Sequence, residues 1–156
     1  MLRVLVADDS VLVRERLAEL IHDLDGVELV GEAGTAQAAL NLVQRLQPDV
    51  VILDIRLPGG DGISVLKAIR QQAAPPRVIM LTAFPYPQYR RRCLEAGAHF
   101  FFDKATEFSS IAEVLSQLGR GSDPRENSVA PATSRHPGDQ IDARRSGNSS
   151  HLLDSR

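Results

Sequence analysis

The stretch VVILDIRLPGGDG, from Val50 to Gly62, carries four apolar residues straight into Asp54 and then into a turn rich in proline and glycine. An uninterrupted Val/Ile/Leu run of this length reads as a strand covered on both faces. A carboxylate at the tip of such a strand needs a partner, because an unpaired buried charge is costly. The reading of the whole chain turns on what Asp54 faces.

Similar runs recur on both sides of it: LRVLVA (2–7), RVIML (77–81) and AHFFF (98–102). VELVGEA (27–33) is broken by Glu28 and Glu32 and is expected at a sheet edge. Between the strands, helical spacing predicts Val11–Leu24, with Val13, Leu17, Leu20, Ile21 and Leu24 on one face. Further helices are expected over Thr35–Leu46, Ile63–Arg70 and, short and delayed by the prolines of FPYP, Gln88–Ala96. A fifth follows Thr106 as its N-cap and stops at Gly119. Alternation of this kind specifies an α/β fold: a doubly wound, five-stranded parallel sheet with helices on both faces.

The 156 residues are 43% hydrophobic and 24% charged, with a net charge of -2, the composition of an ordinary globular domain. Residues 1–119 hold 12 Lys+Arg against 15 Asp+Glu, which gives no basic footprint for nucleic acid. Residues 120–156 lack aromatics and are poor in large apolar side chains, so they are expected to be a disordered tail with no DNA-binding helical pattern. A lone Cys93 precludes an intrachain disulfide and suits a reducing cytoplasm. The segment before Asp8 is too short for a signal peptide, and no run is long enough to span a membrane.

In open sheets of this kind, ligands bind beyond the carboxyl ends of the strands. Those ends carry Asp8-Asp9, Asp54, Thr82-Ala83 and Asp103-Lys104. Three converging carboxylates repel one another, and a divalent cation removes the conflict. Oxygen ligands with room for water suit Mg²⁺. An ion beside a carboxylate can hold a phosphoryl group against it, and carboxylates serve as nucleophiles in such transfers. On this reading Asp54 is the nucleophile, Thr82 donates to a phosphoryl oxygen and Lys104 neutralises another. Taken singly, each residue has a plainer role: Asp8-Asp9 as helix-capping acids, Asp54 as a turn residue, Lys104 as a solvated surface cation. Only the constellation is specific.

From residue 2 to about 118 the chain resembles the receiver domain of two-component response regulators. The resemblance implies the flavodoxin-like strand order 2-1-3-4-5. It implies that Asp8 and Asp9 are the metal-binding pair, Asp54 the phosphoacceptor and the Arg56 backbone carbonyl a further metal ligand. Thr82 falls at the family's hydroxyl position, Ala83 at its small neighbour, Lys104 at its lysine and Phe101 at its aromatic switch. Leu57-Pro58 with the following Gly-Asp-Gly, and Glu95-Ala96-Gly97-Ala98, match as well. Two positions depart from the pattern: Ala105 stands where proline in a cis peptide usually follows the lysine, and Phe101 stands where tyrosine is common.

The expectation is a stand-alone cytoplasmic switch, of the chemotaxis type with no output domain of its own. A sensor histidine kinase or phosphotransfer protein would supply its phosphoryl group, and its target would be another protein rather than DNA. Two rivals remain. An aspartyl-nucleophile phosphohydrolase would need a second Asp two residues after Asp54, where Arg56 stands. A pure interaction module would leave the pocket vestigial. Arg90-Arg91-Arg92 reads as a solvated helix face, Cys93 as a small buried hydrophobe and His99 as a strand-edge residue rather than a metal ligand.

Overall fold

The computed structural model describes residues 1–121. The tail expected to be disordered lies, beyond Gly121, outside the described residues. The strands are β1 (Leu2–Ala7), β2 (Val27–Ala33), β3 (Val50–Leu53), β4 (Arg56–Leu57), β5 (Gly60–Asp61), β6 (Arg77–Thr82) and β7 (Phe100–Asp103). The helices are α1 (Val11–His22), α2 (Ala36–Leu46), α3 (Gly62–Arg70), α4 (Pro87–Glu95) and α5 (Phe108–Gly119). Five strands pair in parallel in the order β2-β1-β3-β6-β7, which is the expected flavodoxin-like sheet. The interrupted VELVGEA segment is indeed an edge strand.

The continuous apolar runs have a simple cause. Successive strand residues point to opposite faces, and both faces are covered. Leu5, Val51, Leu53, Val78 and Met80 join one buried cluster with α2, α3 and α4. Val4, Val6, Val50, Ile52, Ile79 and Leu81 join another with Leu17 and Ile21 of α1 and Ile111 and Leu115 of α5. A strand packed on one side only would alternate with polar residues; these cannot.

Helix boundaries shift where local hydrogen bonding overrides periodicity. Helix α1 ends at His22, short of Leu24, with Gly26 at φ +79 turning the chain into β2. Thr35 stands outside α2 as its N-cap, its side chain accepting from Ala38 N–H at 3.1 Å. Helix α4 starts with Pro87 in its first turn, where a missing N–H costs nothing. Thr106 does not cap α5. Its hydroxyl donates to Asp103 Oδ2 at 3.2 Å, and the helix begins after Glu107, with no side-chain cap. Among the described residues no helix is long and apolar enough to cross a membrane.

Sequence periodicity gave no sign of the small antiparallel hairpin β4–β5, which pairs Arg56 with Asp61 and Leu57 with Gly60. Pro58 O accepts from Ala36 N–H at 3.0 Å and ties the hairpin to α2. Gly62 closes it. Its N–H donates to Ile55 O at 2.6 Å, and a Cβ there would be driven into the Asp54 carbonyl oxygen and to 2.8 Å from Ile55 Cα. Gly59, at the tip, has φ +83 but open space around it.

These two glycines separate steric from conformational cost. Gly62→Ala is expected to destabilise the fold by about 3 kcal/mol or more, because backbone atoms cannot yield. Gly59→Ala should cost only about 1–2 kcal/mol, the penalty of a left-handed residue. Urea unfolding midpoints of the two variants measure the difference. Cys93 provides a second test. It is fully buried in the cluster beneath α4, and burial pushes its thiol up to about 11. A folded thiol raised above its ordinary 9.0 ionises less at any pH below that range. A disulfide reagent at pH 8 should therefore react with the native protein at least ~100-fold more slowly than with the urea-unfolded chain.

Candidate functional site

Three strand ends place the acidic groups, and the sheet's hydrogen-bond ladder continues past the strands to do it. Asp8 N–H donates to Ala33 O at 2.9 Å, Asp54 N–H to Ala7 O at 3.0 Å and Lys104 N–H to Thr82 O at 2.8 Å. The backbone of each functional residue is thus pinned by the neighbouring strand. The carboxylates of Asp8, Asp9 and Asp54 each offer an oxygen within 4.8 Å of the others. Asp8 and Asp54 are buried, at 2% and 5% exposure, whereas Asp9 faces solvent.

Lys104 joins the cluster from the end of β7. Its Nζ lies 2.7 Å from Asp8 Oδ2 and 2.9 Å from Asp54 Oδ2. The Lys104–Ala105 peptide is trans, as are all the described peptides. The replacement of the family's proline therefore leaves the ammonium in place. Burial pushes the Asp54 carboxyl above its ordinary 3.8, with a smaller push from Asp8, while the Lys104 hydrogen bond and charge pull it back. For Lys104, burial favours the neutral amine, but the hydrogen bonds and charges of Asp8 and Asp54 outweigh it and raise the group above 10.5.

The remaining predicted residues surround this ion cluster. Thr82 ends β6, fully buried, and its Oγ1 accepts from Phe84 N–H at 3.0 Å, which leaves the hydroxyl its own proton to donate. Ala83 beside it is exposed. Arg56 N–H reaches Asp54 Oδ1 at 3.4 Å, and its guanidinium lies 4.1 Å from the centre of the Phe84 ring. Phe101 is buried in β7. Over it sits Arg90, 5.6 Å from the ring centre and 3.4 Å from the Phe101 carbonyl oxygen, so one of the three arginines read as a solvated face has a definite partner. His99 is no ligand: its Nδ1 accepts from Val78 N–H at 3.1 Å.

Sequence reasoning missed several supporting groups. Ser10 caps α1 by accepting from Val13 N–H, and its own N–H donates to Asp8 Oδ1 at 2.9 Å. Arg14 donates to the Asp8 carbonyl oxygen at 2.5 Å and pairs with Glu32 at 3.2 Å. Asp61 caps α3 through Ser64 N–H at 2.9 Å. The Ser10 and Asp61 caps were legible as polar residues three positions before a helical N–H; Arg14's reach across to β2 was not. Next to the cluster a cleft of about 390 Å³ opens between the hairpin and α4, lined by Asp9, Arg56, Pro58, Asp61, Tyr89 and Arg92.

A flavodoxin-like sheet with an acid cluster and a lysine at its carboxyl edge defines the class of signalling receivers. Comparison with known proteins gives the family directly. Residues 4–116 match the family model described as the response regulator receiver domain, and the chain belongs to that family of two-component systems. The positive alginate biosynthesis regulatory protein of Pseudomonas aeruginosa is 37% identical over 120 residues, spanning 76% of this chain and 48% of that protein. Among solved structures, the response regulator domain of Thermotoga maritima CheB superposes with a TM-score of 0.69 at 32% identity, covering 78% of this chain and 96% of that one. A chain of the CheX–CheY–BeF₃–Mg²⁺ complex of Borrelia burgdorferi gives a TM-score of 0.64 at 30% identity, covering 72% and 87%. The chain spans roughly half the length of several of the curated relatives it matches.

The ion cluster makes a stability prediction. Lys104→Met leaves two buried carboxylates uncompensated and is expected to cost about 3 kcal/mol in metal-free buffer at pH 7. Combining it with Asp54→Asn should recover much of that loss, as read by chemical unfolding.

Proposed function

We propose that this chain is a phosphorylation-controlled switch that accepts a phosphoryl group on Asp54 from a sensor histidine kinase or a phosphotransfer protein. The observation that carries the reading is the buried Asp54 carboxylate, clustered with Asp8 and Asp9 and bonded to Lys104. No structural reason favours burying this much charge unless it does chemistry, because apolar packing would be at least as stable.

The donor set fits Mg²⁺, since it is all oxygen, has few carboxylates and is open on the Asp9 side. Asp9, Asp54 and the Arg56 carbonyl would hold the ion, with Asp8 acting through water. When bound, it would offset the negative charge of the phosphoryl oxygens. An Asp54 carboxylate oxygen attacks phosphorus, the bond from phosphorus to the donor imidazole nitrogen breaks, and the electron pair stays with the imidazole. The chain's own groups then do three things. Lys104 turns its ammonium from Asp8 towards a phosphoryl oxygen. Thr82 donates its hydroxyl proton to another. Phe101 moves into the space vacated around Thr82, altering the face of α4, β7 and α5. Phosphorylation biases an equilibrium between two arrangements, to the extent that contacts differ between them. The changed face would be read by a partner protein.

The domain assignment belongs to the same proposal: residues 1–119 as the receiver, with 120–156 outside it. The phosphohydrolase alternative is disfavoured, as Arg56 occupies the position of its general acid and packs on Phe84. Incubation with phosphoramidate and Mg²⁺ should label wild-type protein once per chain, and Asp54→Ala should abolish labelling. Persistent full labelling of that variant would overturn the assignment. By calorimetry, Asp9→Asn should weaken Mg²⁺ binding severalfold without unfolding the protein.

A further inference from the structure

Lys104 is followed by Ala105 in a trans peptide, so the loop has no proline to fix its path, yet the ammonium is placed within 2.9 Å of both buried carboxylates. What fixes the path is a closed set of hydrogen bonds around the lysine. Asp103 Oδ1 accepts from Ala105 N–H at 2.8 Å, and Asp103 Oδ2 accepts from the Thr106 hydroxyl at 3.2 Å. Asp103 N–H donates to Glu107 Oε1 at 2.9 Å, and Glu107 N–H donates back to Asp103 O at 2.8 Å. The residues before and after Lys104 are thereby locked to each other, while Lys104 N–H is held by β6 through Thr82 O.

The arrangement has a cost that needs a reason. Glu107 stands at the N-cap position of α5, but its carboxylate turns back to Asp103 rather than capping the helix, and Thr106 gives its hydroxyl to Asp103 too. Helix α5 therefore starts with no side-chain cap, a loss of about 1 kcal/mol. The same side chains would stabilise the helix if they were spent on it. They are spent on the loop that carries the lysine.

We infer that Asp103 and Glu107 are positioning residues: together they hold the Lys104 ammonium at the phosphoacceptor, taking the part that chain stiffness alone would otherwise play. This rests on the receiver reading above and adds two residues to it. Neither touches the reacting atoms. Their effect runs through the backbone on either side of Lys104, because a displaced ammonium stabilises less of the charge that develops on transfer.

The test uses full-length protein, with phosphoramidate as donor and saturating Mg²⁺. Asp103→Ala removes both acceptors and should slow the maximal labelling rate by about tenfold or more, as expected for misplacement of a charged group. Asp103→Asn keeps the Oδ1 acceptor for Ala105 N–H and should restore the rate to within about twofold. Glu107→Ala should lie between the two. Mg²⁺ affinity, set by Asp8, Asp9 and Asp54, should not weaken in any of them, whereas a general loosening of the site would lower affinity and rate together. If Asp103→Ala does not fold, Glu107→Ala carries the comparison. Wild-type labelling with an unchanged rate in Asp103→Ala, or in Glu107→Ala if that variant must stand in, overturns the inference. So does a loss in Asp103→Asn as deep as in Asp103→Ala. Absence of labelling in the wild type would instead overturn the receiver reading.

Discussion

The Lys104 ammonium, shared between Asp8 and Asp54, is the interaction on which the carboxyl edge of the sheet depends. Two carboxylates at 2% and 5% exposure would repel each other and lose hydration together; a cation at 2.7 and 2.9 Å from them supplies the compensating charge. The three residues come from distant parts of the sequence and meet only because β1, β3 and β7 run parallel and end at the same edge. Sheet register is therefore also the register of the site. A slip of one residue in β3 would turn Asp54 to the opposite face and strand the lysine.

Much of this could be read in the sequence, for definite reasons. Strands covered on both faces leave unmistakable apolar runs, so their number, order and edge placement followed from Val, Ile and Leu alone. The acids and the lysine were found because each follows such a run directly. Helix ends were less legible, since they depend on which polar side chain wins a local competition. Thr106 looked like a cap and instead serves Asp103; Leu24 fitted the periodicity of α1 but lies beyond its end. The hairpin after β3 was hidden because two-residue strands have no periodicity to detect. Arg14 and Arg90 were beyond reach as well: their partners, Glu32 and Phe101, are neighbours only once the sheet has formed.

The polar groups around the cluster divide by backbone and side chain. Main-chain N–H and C=O groups of Ala7, Ala33 and Thr82 fix where Asp54, Asp8 and Lys104 begin, and these bonds cannot be altered by substitution. Side chains then decide direction: Ser10 and Arg14 around Asp8, Arg56 and Phe84 around the neighbouring loops, Asp103 and Glu107 around Lys104. Rigidity thus comes from the sheet, and adjustability from the loops. This division suits a domain whose chemistry stays the same while its partners differ.

Gly62 sets a limit on how such a domain can diversify. Its backbone touches that of Asp54 and Ile55 so closely that even one methyl group does not fit, and its N–H fastens the loop shut. The start of α3 and the carbonyl of the phosphoacceptor are in effect a single rigid joint. Evolutionary variation in the loop is consequently confined to its outer bend around Pro58 and Gly59, where there is open space. A lineage can redecorate that rim for a new kinase or target while the hinge-pin beneath it stays bare.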